Sequence, residues 1–421
     1  MTTFDRRTFL RGTGLAAVAG AALPLIGSPA SATPADPDQL FKNGRFDEAE
    51  RGYRRQLRED PQHARAAAQL GYLALLSNRF RTAETFLSRA VKLDSGDLAS
   101  KQRLAECFVR QDRHASAVPL LKQTGRERDT AFATLFGALK GRPWQISGAS
   151  SARLPFHTLD PVPSVEASVN GGSPKKFLLD TYATLDLSTE VAEEAGLKPV
   201  ATVTAVISGK PANLYLGILE SFKLGGIEIR NLPVHWNDAK RPPLPDGSDP
   251  AGAFGTTVFY HFLTTMDYAG RALILRRKTH GFQAANRLPL WLAGDHYPCT
   301  IGSLGDHGPR MVTVDTGGIA SALDTTVAIA EQTGLDVDYD NPTERFGTKT
   351  YPVTADRISL GKAVGRNMRG MVAEKVFPGF PGPGQSAQFG FDLLANFTHE
   401  FFKPFAVTFD YTRMNLFVSR G

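Results

Sequence analysis

Residues 311–318 read MVTVDTGG, a short strand-forming run that delivers an aspartate and a threonine into a glycine turn. An earlier stretch, residues 176–183, reads KFLLDTYA and has the same design. Short apolar runs bounded by turn residues are typical of β-strands. The pair Asp324-Thr325 does not follow such a run and is weak evidence of a site. The pattern therefore singles out Asp180 and Asp315.

The neighbours of these two aspartates recur in the same order, which indicates an internal duplication. Each aspartate is followed by a helical stretch ending in Gly-Leu, a Leu-Gly turn, an asparagine, a Pro/Gly-rich loop, a Phe-Gly step and an Asp-Tyr pair before an apolar strand. The first copy has these features at Gly196-Leu197, Leu224-Gly225, Asn231, 241–252, Phe254-Gly255 and Asp267-Tyr268; the second has them at Gly334-Leu335, Leu360-Gly361, Asn367, 377–384, Phe389-Gly390 and Asp410-Tyr411. Residues 155–280 and 285–421 are predicted to be two β-rich lobes.

This order of features resembles the retropepsin-like aspartic peptidases, and two lobes in one chain are similar to the bilobal pepsin-like arrangement. The resemblance implies an all-β bilobal fold in which Asp180 and Asp315 meet between the lobes as a catalytic dyad. It also implies that Thr181 and Thr316 join the two turns by hydrogen bonds. Two facing carboxyls that share one proton supply both the base that activates water and the acid that protonates a peptide carbonyl.

The two motifs differ at the residue after Asp-Thr. The second motif keeps the glycine of the family, Gly317, whereas the first has Tyr182 in that place. Glycine permits close backbone approach and positive φ, which are costly for a bulky side chain. Tyr182 is therefore expected either to displace Asp180 or to project into the cleft as an additional hydrogen-bonding group.

A flap over the cleft is expected in each lobe from the same resemblance, between the helical stretch and the Leu-Gly turn. In the first lobe the hairpin would turn at Ser208-Gly209, and in the second it would turn at Gly347. Closure of such a hairpin excludes water and positions a peptide.

Three functions are compatible with these features. The first is an aspartic-type endopeptidase, a hydrolase acting on peptide or protein substrates. The second is a pseudo-protease that binds a peptide or a protein partner without cleaving it. The third is an acid–base enzyme of this fold that acts on a non-peptide substrate, and the altered motif at Tyr182 keeps the last two open.

Residues 1–32 have the features of an export signal. Arg6-Arg7 precedes Thr8-Phe9-Leu10, a short Gly/Ala-rich apolar stretch follows, and Ala30-Ser31-Ala32 is a typical cleavage site. The paired arginines resemble the twin-arginine (Tat) motif, which routes folded proteins across a bacterial inner membrane. The mature protein is therefore expected in the periplasm or secreted, with no stable membrane insertion after cleavage.

Residues 33–125 contain a repeat with a 34-residue period. The recurring positions are Phe46 and Phe80, then Ala49, Ala83 and Ala117, then Tyr53, Leu87 and Leu121. The spacing resembles the tetratricopeptide repeat (TPR), a helix–turn–helix unit that buries its apolar face by stacking. The array is expected either to bind a protein partner or to brace the next domain. Residues 126–154 are predicted to be one further helix and a linker.

Composition excludes several other classes. The chain has 421 residues and a net charge of +6, without the dense basic clusters that nucleic-acid binding requires. Its two cysteines, Cys107 and Cys299, cannot form a disulfide framework or a four-ligand zinc site. No cofactor and no metal are predicted. The sequence thus predicts a multidomain α + β chain with TPR-like helices before the bilobal β-rich region.

Overall fold

The structure is a computed structural model that describes residues 35–421 apart from 208–209, 240, 242, 280, 346 and 377–379. Residues 1–32, interpreted above as a signal peptide, lie outside the described residues. Within the described part of the chain, no helix is both long enough and apolar enough to cross a membrane.

A helical array comes first in the described chain. It consists of α1 (Pro37–Lys42), α2 (Phe46–Glu59), α3 (Ala64–Leu76), α4 (Phe80–Leu93), α5 (Leu98–Val109), α6 (His114–Lys122) and α7 (Glu127–Ala138). The recurring alanines Ala49, Ala83 and Ala117 are fully buried between helices. Small residues are needed there because the helices approach closely: a Cβ at Gly71 would lie 2.6 Å from Cγ of Leu87.

The array packs against the β-rich region at several points. Phe46 at the start of α2 lies edge-on to Phe391, with ring centroids 5.2 Å apart. The buried Arg110, which follows α5, donates hydrogen bonds to the main-chain oxygens of Leu292 and Gly294. Apolar residues of α7 join a cluster with Val203 and Leu216. The array therefore braces the β-rich region.

The first half of the β-rich region forms one closed sheet and part of another. Its elements are β1 (Gln145–Gly148), β2 (Ser151–Pro155), β3 (Ser164–Val169), β4 (Lys175–Leu179), β5 (Leu185–Ser188), α8 (Thr189–Glu194), β6 (Ala201–Ile207), β7 (Lys210–Leu224), β8 (Ile227–Asn237), β9 (Gly252–Phe254), α9 (Thr256–Phe259), β10 (Phe262–Asp267) and β11 (Ala272–Arg277). The strands of the first sheet are ordered β1-β8-β5-β9-β4-β3-β7-β6, and an additional β7–β8 pairing closes it into a barrel.

The second half forms a second closed sheet with the same kind of path. Its elements are β12 (Arg287–Pro289), β13 (Trp291–Ala293), β14 (Tyr297–Leu304), β15 (His307–Val314), β16 (Leu323–Thr326), α10 (Val327–Thr333), β17 (Asp336–Val337), β18 (Thr343–Arg345), β19 (Thr348–Leu360), β20 (Ala363–Ala373), a 3₁₀ turn (Gly382–Gln385), α11 (Ser386–Phe389), β21 (Ala395–Phe397), α12 (His399–Phe402), β22 (Phe405–Asp410) and β23 (Asn415–Arg420). The second sheet is ordered β13-β14-β15-β21-β16-β20-β19-β17, with β18 on β19 and closure through β14–β19.

A central sheet joins the two halves. Its order is β12-β23-β22-β10-β11-β2, so three strands of the second half meet three strands of the first half at the β10–β22 pair. Thr265 of β10 lies opposite Thr408 of β22, and their hydroxyl oxygens are 2.8 Å apart. Each threonine lies two residues before the Asp-Tyr pair of its half, so the two positions are equivalent. Equivalent residues that lie opposite each other are close to the local twofold axis of the sheet.

Two sequence interpretations differ from the structure. Residues 145–148 and 151–154, interpreted as linker, belong to strands β1 and β2. Both are largely exposed, so they lack the apolar alternation that marks a strand in sequence. The sequence nevertheless indicates that β2 and β12 are equivalent strands, because both contain the tripeptide Arg-Leu-Pro.

The second difference concerns the Phe-Gly step. Phe254 in β9 has Phe397 in β21 as its structural counterpart, since β9 pairs with β4 and β5 as β21 pairs with β15 and β16. Phe389-Gly390, matched to Phe254-Gly255 in the sequence, instead ends helix α11. The loop before β21 contains an additional helical turn, so a constant sequence spacing points to the wrong phenylalanine.

Candidate active site

Asp180 and Asp315 occupy equivalent turns at the ends of β4 and β15. The main-chain N–H of Asp180 donates to the oxygen of Phe254 at 3.1 Å, and that of Asp315 donates to the oxygen of Phe397 at 2.8 Å. The strand beside each turn, β9 or β21, therefore holds the main chain of the aspartate in place at the end of its strand.

The two turns are joined by reciprocal hydrogen bonds between Thr181 and Thr316. The N–H of Thr181 donates to Oγ1 of Thr316 at 2.9 Å, and the N–H of Thr316 donates to Oγ1 of Thr181 at 3.0 Å. Each hydroxyl then donates to the strand of the other turn, to the oxygens of Val314 and Leu179. Both side chains are fully buried, so no water competes for these bonds.

The carboxyls of Asp180 and Asp315 lie close enough to perturb the pKa of each other. Burial raises the pKa of Asp180 well above its usual range, and the charge of Asp315 raises it further. Burial also raises the pKa of Asp315, against hydrogen bonds from Asn396 and the backbone of Gly317 that lower it. Because more donors face Asp315, a proton shared by the pair resides on Asp180 and the charge on Asp315.

Gly317 is required by the closeness of the two turns. A Cβ at this position would lie 2.2 Å from Cγ of Asp180. Its N–H donates to Oδ1 of Asp315 at 2.9 Å, and the N–H of Tyr182 makes the equivalent bond to Oδ1 of Asp180 at 2.7 Å. Tyr182 therefore preserves the turn. Tyr182 is not among the positive-φ residues of the chain, so its side chain imposes no left-handed strain.

Of the two expectations for Tyr182, displacement of Asp180 is wrong, because the turn bond to Asp180 is kept, whereas its hydroxyl does act as an additional hydrogen-bonding group. Its hydroxyl lies 3.0 Å from the side-chain oxygens of Gln385 and Asn396, both buried in the second half of the β-rich region. Its ring lies edge-on to Tyr297 at 4.9 Å. The tyrosine thus reaches past the dyad into the opposite half, where buried amides accept its proton.

Asn396 and Asp324 belong to the site but were missed in the sequence. The Nδ2 of Asn396 donates to Asp315 at 2.9 Å and to Asp324 at 3.2 Å, while its Oδ1 accepts from Tyr182 and from Thr313. All four hydrogen-bonding positions of this amide are used. Asp324 was set aside because its Asp-Thr pair does not end a strand; it lies within β16, and only pairing with β21 brings it to the dyad.

Asp324 is a third carboxyl of the site and is buried. Burial raises its pKa to about 7 from 3.8, with the charge of Asp315 as the next cause. The folded protein therefore binds one more proton than the unfolded chain between these pH values. The free energy of unfolding falls as pH rises through this window, since the sign follows the excess protons of the folded state.

Replacing Asp324 by asparagine is expected to remove this part of the pH dependence, because an amide does not ionise. As pH rises from 4 to 8, the free energy of unfolding of Asp324→Asn should increase relative to that of the wild type. The relative gain should reach up to about 4 kcal/mol, for a shift of three pKa units. Urea denaturation at several pH values measures the difference. Asp356→Asn, an exposed position on β19, is the control and should run parallel to wild type. Parallel curves for Asp324→Asn would contradict the prediction.

A charged chain links helix α7 to the first active-site turn. Arg128 of α7 donates to Asp295 at 2.9 Å, and Asp295 contacts Nδ1 of His296. Nε2 of His296 lies 2.7 Å from the main-chain oxygen of Tyr182. Both ring nitrogens of His296 therefore face oxygen atoms. The helical array thereby contacts the loop that carries Asp180.

Of the three residues expected at the tips of the flaps, the structure describes Gly347. Ser208 and Gly209 lie outside the described residues, although β6 and β7 on either side of them form a hairpin. Gly347 lies in the turn between β18 and β19 with φ of 75°, a conformation that favours glycine. A Cβ there would meet no atom within 4 Å, so the turn projects from the sheet.

One group of potential metal ligands occurs among the described residues, at Asp160, His399 and Glu400. The Nζ of Lys403 lies 2.6 Å from Asp160 and 2.7 Å from Glu400. An ammonium group already neutralises these carboxylates, so the cluster has the character of an ion-pair network. It is separate in sequence from both aspartate turns.

Comparisons with known families identify two parts of this chain. Residues 165–258 match the model of the family described as aspartyl protease, and residues 40–99 match a tetratricopeptide repeat model. The prediction of a helical TPR-like region followed by a β-rich, aspartic-protease-like region is therefore confirmed. The matched protease segment contains Asp180 and the altered motif, whereas Asp315 lies outside it. No curated protein matches the chain.

Two solved structures are similar to short segments of this chain. A mutant of the O-GlcNAc transferase of Thermobaculum terrenum shares 21% identity over 25% of this chain, with a TM-score of 0.23. The TPR2B domain of yeast Sti1, in complex with pHsp70, shares 18% identity over 23% of this chain and 74% of its own, with a TM-score of 0.21. This chain spans only about a fifth of the transferase, since 21% of that chain is covered.

Proposed function

We propose that this protein is an exported aspartic endopeptidase in which Asp180 and Asp315 share one proton. The observation that carries the proposal is the pair of neighbouring carboxyls, Asp315 buried and Asp180 half-buried, at the ends of two strands joined by reciprocal threonine bonds; the pKa values of both are raised. Asp315, ionised, would take a proton from the attacking water. Asp180, protonated, would donate to the oxygen of the scissile carbonyl.

The proposal includes two lobes, residues 155–280 and 285–421, that arose by duplication. It is supported by the equivalent paths of the first and second sheets and by the threonine pair at the centre of the central sheet. The hairpins at Ser208-Gly209 and Gly347 would act as flaps that close on a peptide. The helical array of residues 33–125 would hold a protein partner, since TPR modules commonly mediate protein–protein contacts.

Digestion of a proteome-derived peptide library by the mature protein, between pH 3 and pH 8, tests the proposal. Mass spectrometry should detect new internal cleavage products, and their yield should peak where the pair holds a single proton. Both pKa values of the dyad are raised, so this peak should lie at higher pH than two ordinary carboxyls would give. Absence of cleavage at every pH would overturn the endopeptidase assignment.

A peptide-binding scaffold is the second candidate function, and Tyr182 is the observation that favours it. This residue replaces the glycine of the first motif and anchors the turn to Asn396 and Gln385 in the opposite half. The library experiment separates the candidates, because a scaffold would retain intact peptides. Turnover of a small molecule that requires Asp180 or Asp315, without peptide cleavage, would indicate the third possibility, acid–base chemistry on a non-peptide substrate.

Export by the Tat route is part of the same proposal, and it rests on residues 1–32. The variant Arg6→Lys/Arg7→Lys keeps the charge but removes the paired guanidinium groups. In a Tat-competent bacterium we expect the variant precursor to stay in the cytoplasm, while the wild type is recovered as a shortened periplasmic or secreted form. Cell fractionation and N-terminal sequencing measure this. Equal export of both would contradict the Tat assignment.

A further inference from the structure

Among the described residues, the first sheet contains a strand that has no counterpart in the second sheet. Strand β1 pairs antiparallel with β8, from Gln145 opposite Arg230 to Gly148 opposite Ile227. The chain then crosses to β11, where the N–H of Arg277 donates to the oxygen of Ser150 at 3.1 Å. Residues 145–150 thus fill the groove between the free edge of β8 and the end of β11.

Strand β20 is the counterpart of β8. Each follows a Leu-Gly turn, and each has an asparagine with positive φ, Asn231 at 59° and Asn367 at 50°. In the described part of the chain, the side of β20 away from β19 pairs only with β16, at residues 371–373. Residues 363–366, the open edge of β20, therefore have no strand where β8 has β1.

The hydrogen-bonding groups on this open edge can be identified from the register. Leu360 lies opposite Ala363 across a two-residue turn, a pair that exchanges hydrogen bonds in such hairpins. Along β20, the main-chain groups of every second residue bond to β19, and those of the residues between them point away from β19. The N–H and C=O groups of Val364 and Arg366 consequently face the open edge.

A cavity of about 780 Å³ occupies the place that β1 fills in the first sheet. It lies between the open edge of β20 and the end of β23, and Val364 and Phe405 are among its apolar lining residues. Its lining includes four cations and no carboxylate: Arg357, Lys362, Arg366 and Arg420. We call this cavity the cationic groove.

The arrangement of these cations is unfavourable without an anion. Arg357 lies directly opposite Arg366 in the β19–β20 register, at a position where side chains approach most closely. Like charges in such pairs destabilise a sheet. Among the ion pairs formed by the described residues, none involves any of the four groove cations.

We propose that the cationic groove and the open edge of β20 bind an extended acidic segment of a partner protein, which adds to the second sheet as β1 adds to the first. Main-chain bonds to Val364 and Arg366 hold the segment, and its acidic side chains pair with the groove cations. The adjacent stretch of this chain, residues 281–286, contains no acidic side chain and does not neutralise the groove.

The test uses the full-length protein and a fluorescein-labelled dodecapeptide in which glutamate alternates with valine and threonine. Fluorescence anisotropy should show binding that weakens about tenfold or more when lysine replaces glutamate, or in Arg366→Glu/Arg420→Glu, as expected for desolvated charge pairs. Val364→Pro removes one outward N–H without touching a β19 bond and should weaken binding about fivefold. Arg369→Glu, exposed on β20 outside the groove, is the matched control.

Hydrogen exchange distinguishes strand addition from simple charge attraction. The amides of Val364 and Arg366 should exchange more slowly when the peptide is present, whereas those of Ala363 and Gly365, already bonded to β19, should not change. The proposal is overturned if no binding occurs at about 1 mM peptide, if the lysine peptide or an oligonucleotide binds equally well, or if Val364→Pro binds as wild type. Slow exchange at Val364 in the free protein would also overturn it, because the groove would already be filled.

Discussion

Asp180→Asn and Asp315→Asn are each expected to lower peptide hydrolysis by about 10³-fold or more, since the dyad supplies both general base and general acid. Either change leaves one carboxyl that cannot fill both roles. The amide is nearly isosteric, so the reciprocal bonds of Thr181 and Thr316 should persist and the variants should fold. Cleavage rates on the best peptide from the library, with circular dichroism as a folding check, measure the effect.

The pH profiles of the same variants sharpen this test. In the wild type, activity should fall at low pH when both carboxyls are protonated, and at high pH when both are ionised. Asp356→Asn, on the exposed side of β19, should retain both the rate and the profile of the wild type. If Asp180→Asn or Asp315→Asn cleaves at the wild-type rate, the dyad is not the catalytic centre.

Gly317→Ala is the second change with a large expected effect, because the added methyl would lie 2.2 Å from Cγ of Asp180. Non-bonded carbon atoms do not approach to that distance, so the carboxyl of Asp180 or the whole turn must shift. A displacement near 1 Å at reacting groups lowers rates by about 100-fold, and overpacking costs about 1–3 kcal/mol of stability. We expect losses of both kinds, measured by peptide cleavage and thermal unfolding.

Gly137→Ala provides the matched control for this substitution. Gly137 lies exposed in α7, and a Cβ there would meet no atom within 4 Å. Alanine in an exposed helix interior stabilises by up to about 1 kcal/mol relative to glycine. Full activity of Gly317→Ala, with the stability of the wild type, would show that the two turns are not as close as the structure has them.

Prediction from sequence worked where one local segment determines the result. The helical repeat was visible because its buried alanines recur at a fixed spacing, and Asp180 and Asp315 stood out because an apolar strand ends at each. Prediction failed where the structure of a segment depends on the strand with which it pairs or on the length of a neighbouring loop. β1 and β2 are exposed strands without apolar alternation, and the counterpart of Phe254 was misplaced because an additional helical turn precedes β21.

The candidate site shows the same division. Asn396 is 81 residues from Asp315 in the chain and carries no motif, yet it donates to Asp315 and Asp324 and accepts from Tyr182. The effect of Tyr182 could not be derived from residue type alone. A bulky side chain at that position has room only because the opposite half offers buried amides to its hydroxyl.

By itself, the sequence determined the order of a helical repeat and two strand-delivered aspartates in a β-rich region. Those are properties of short segments, fixed by apolar periodicity and turn residues. Only the tertiary structure decided that Thr181 and Thr316 bond to each other across 135 residues, that three carboxyls are neighbours, and that the open edge of β20 faces a cationic groove. Such contacts arise when strands from distant segments pair, and the pairing depends on the whole sheet.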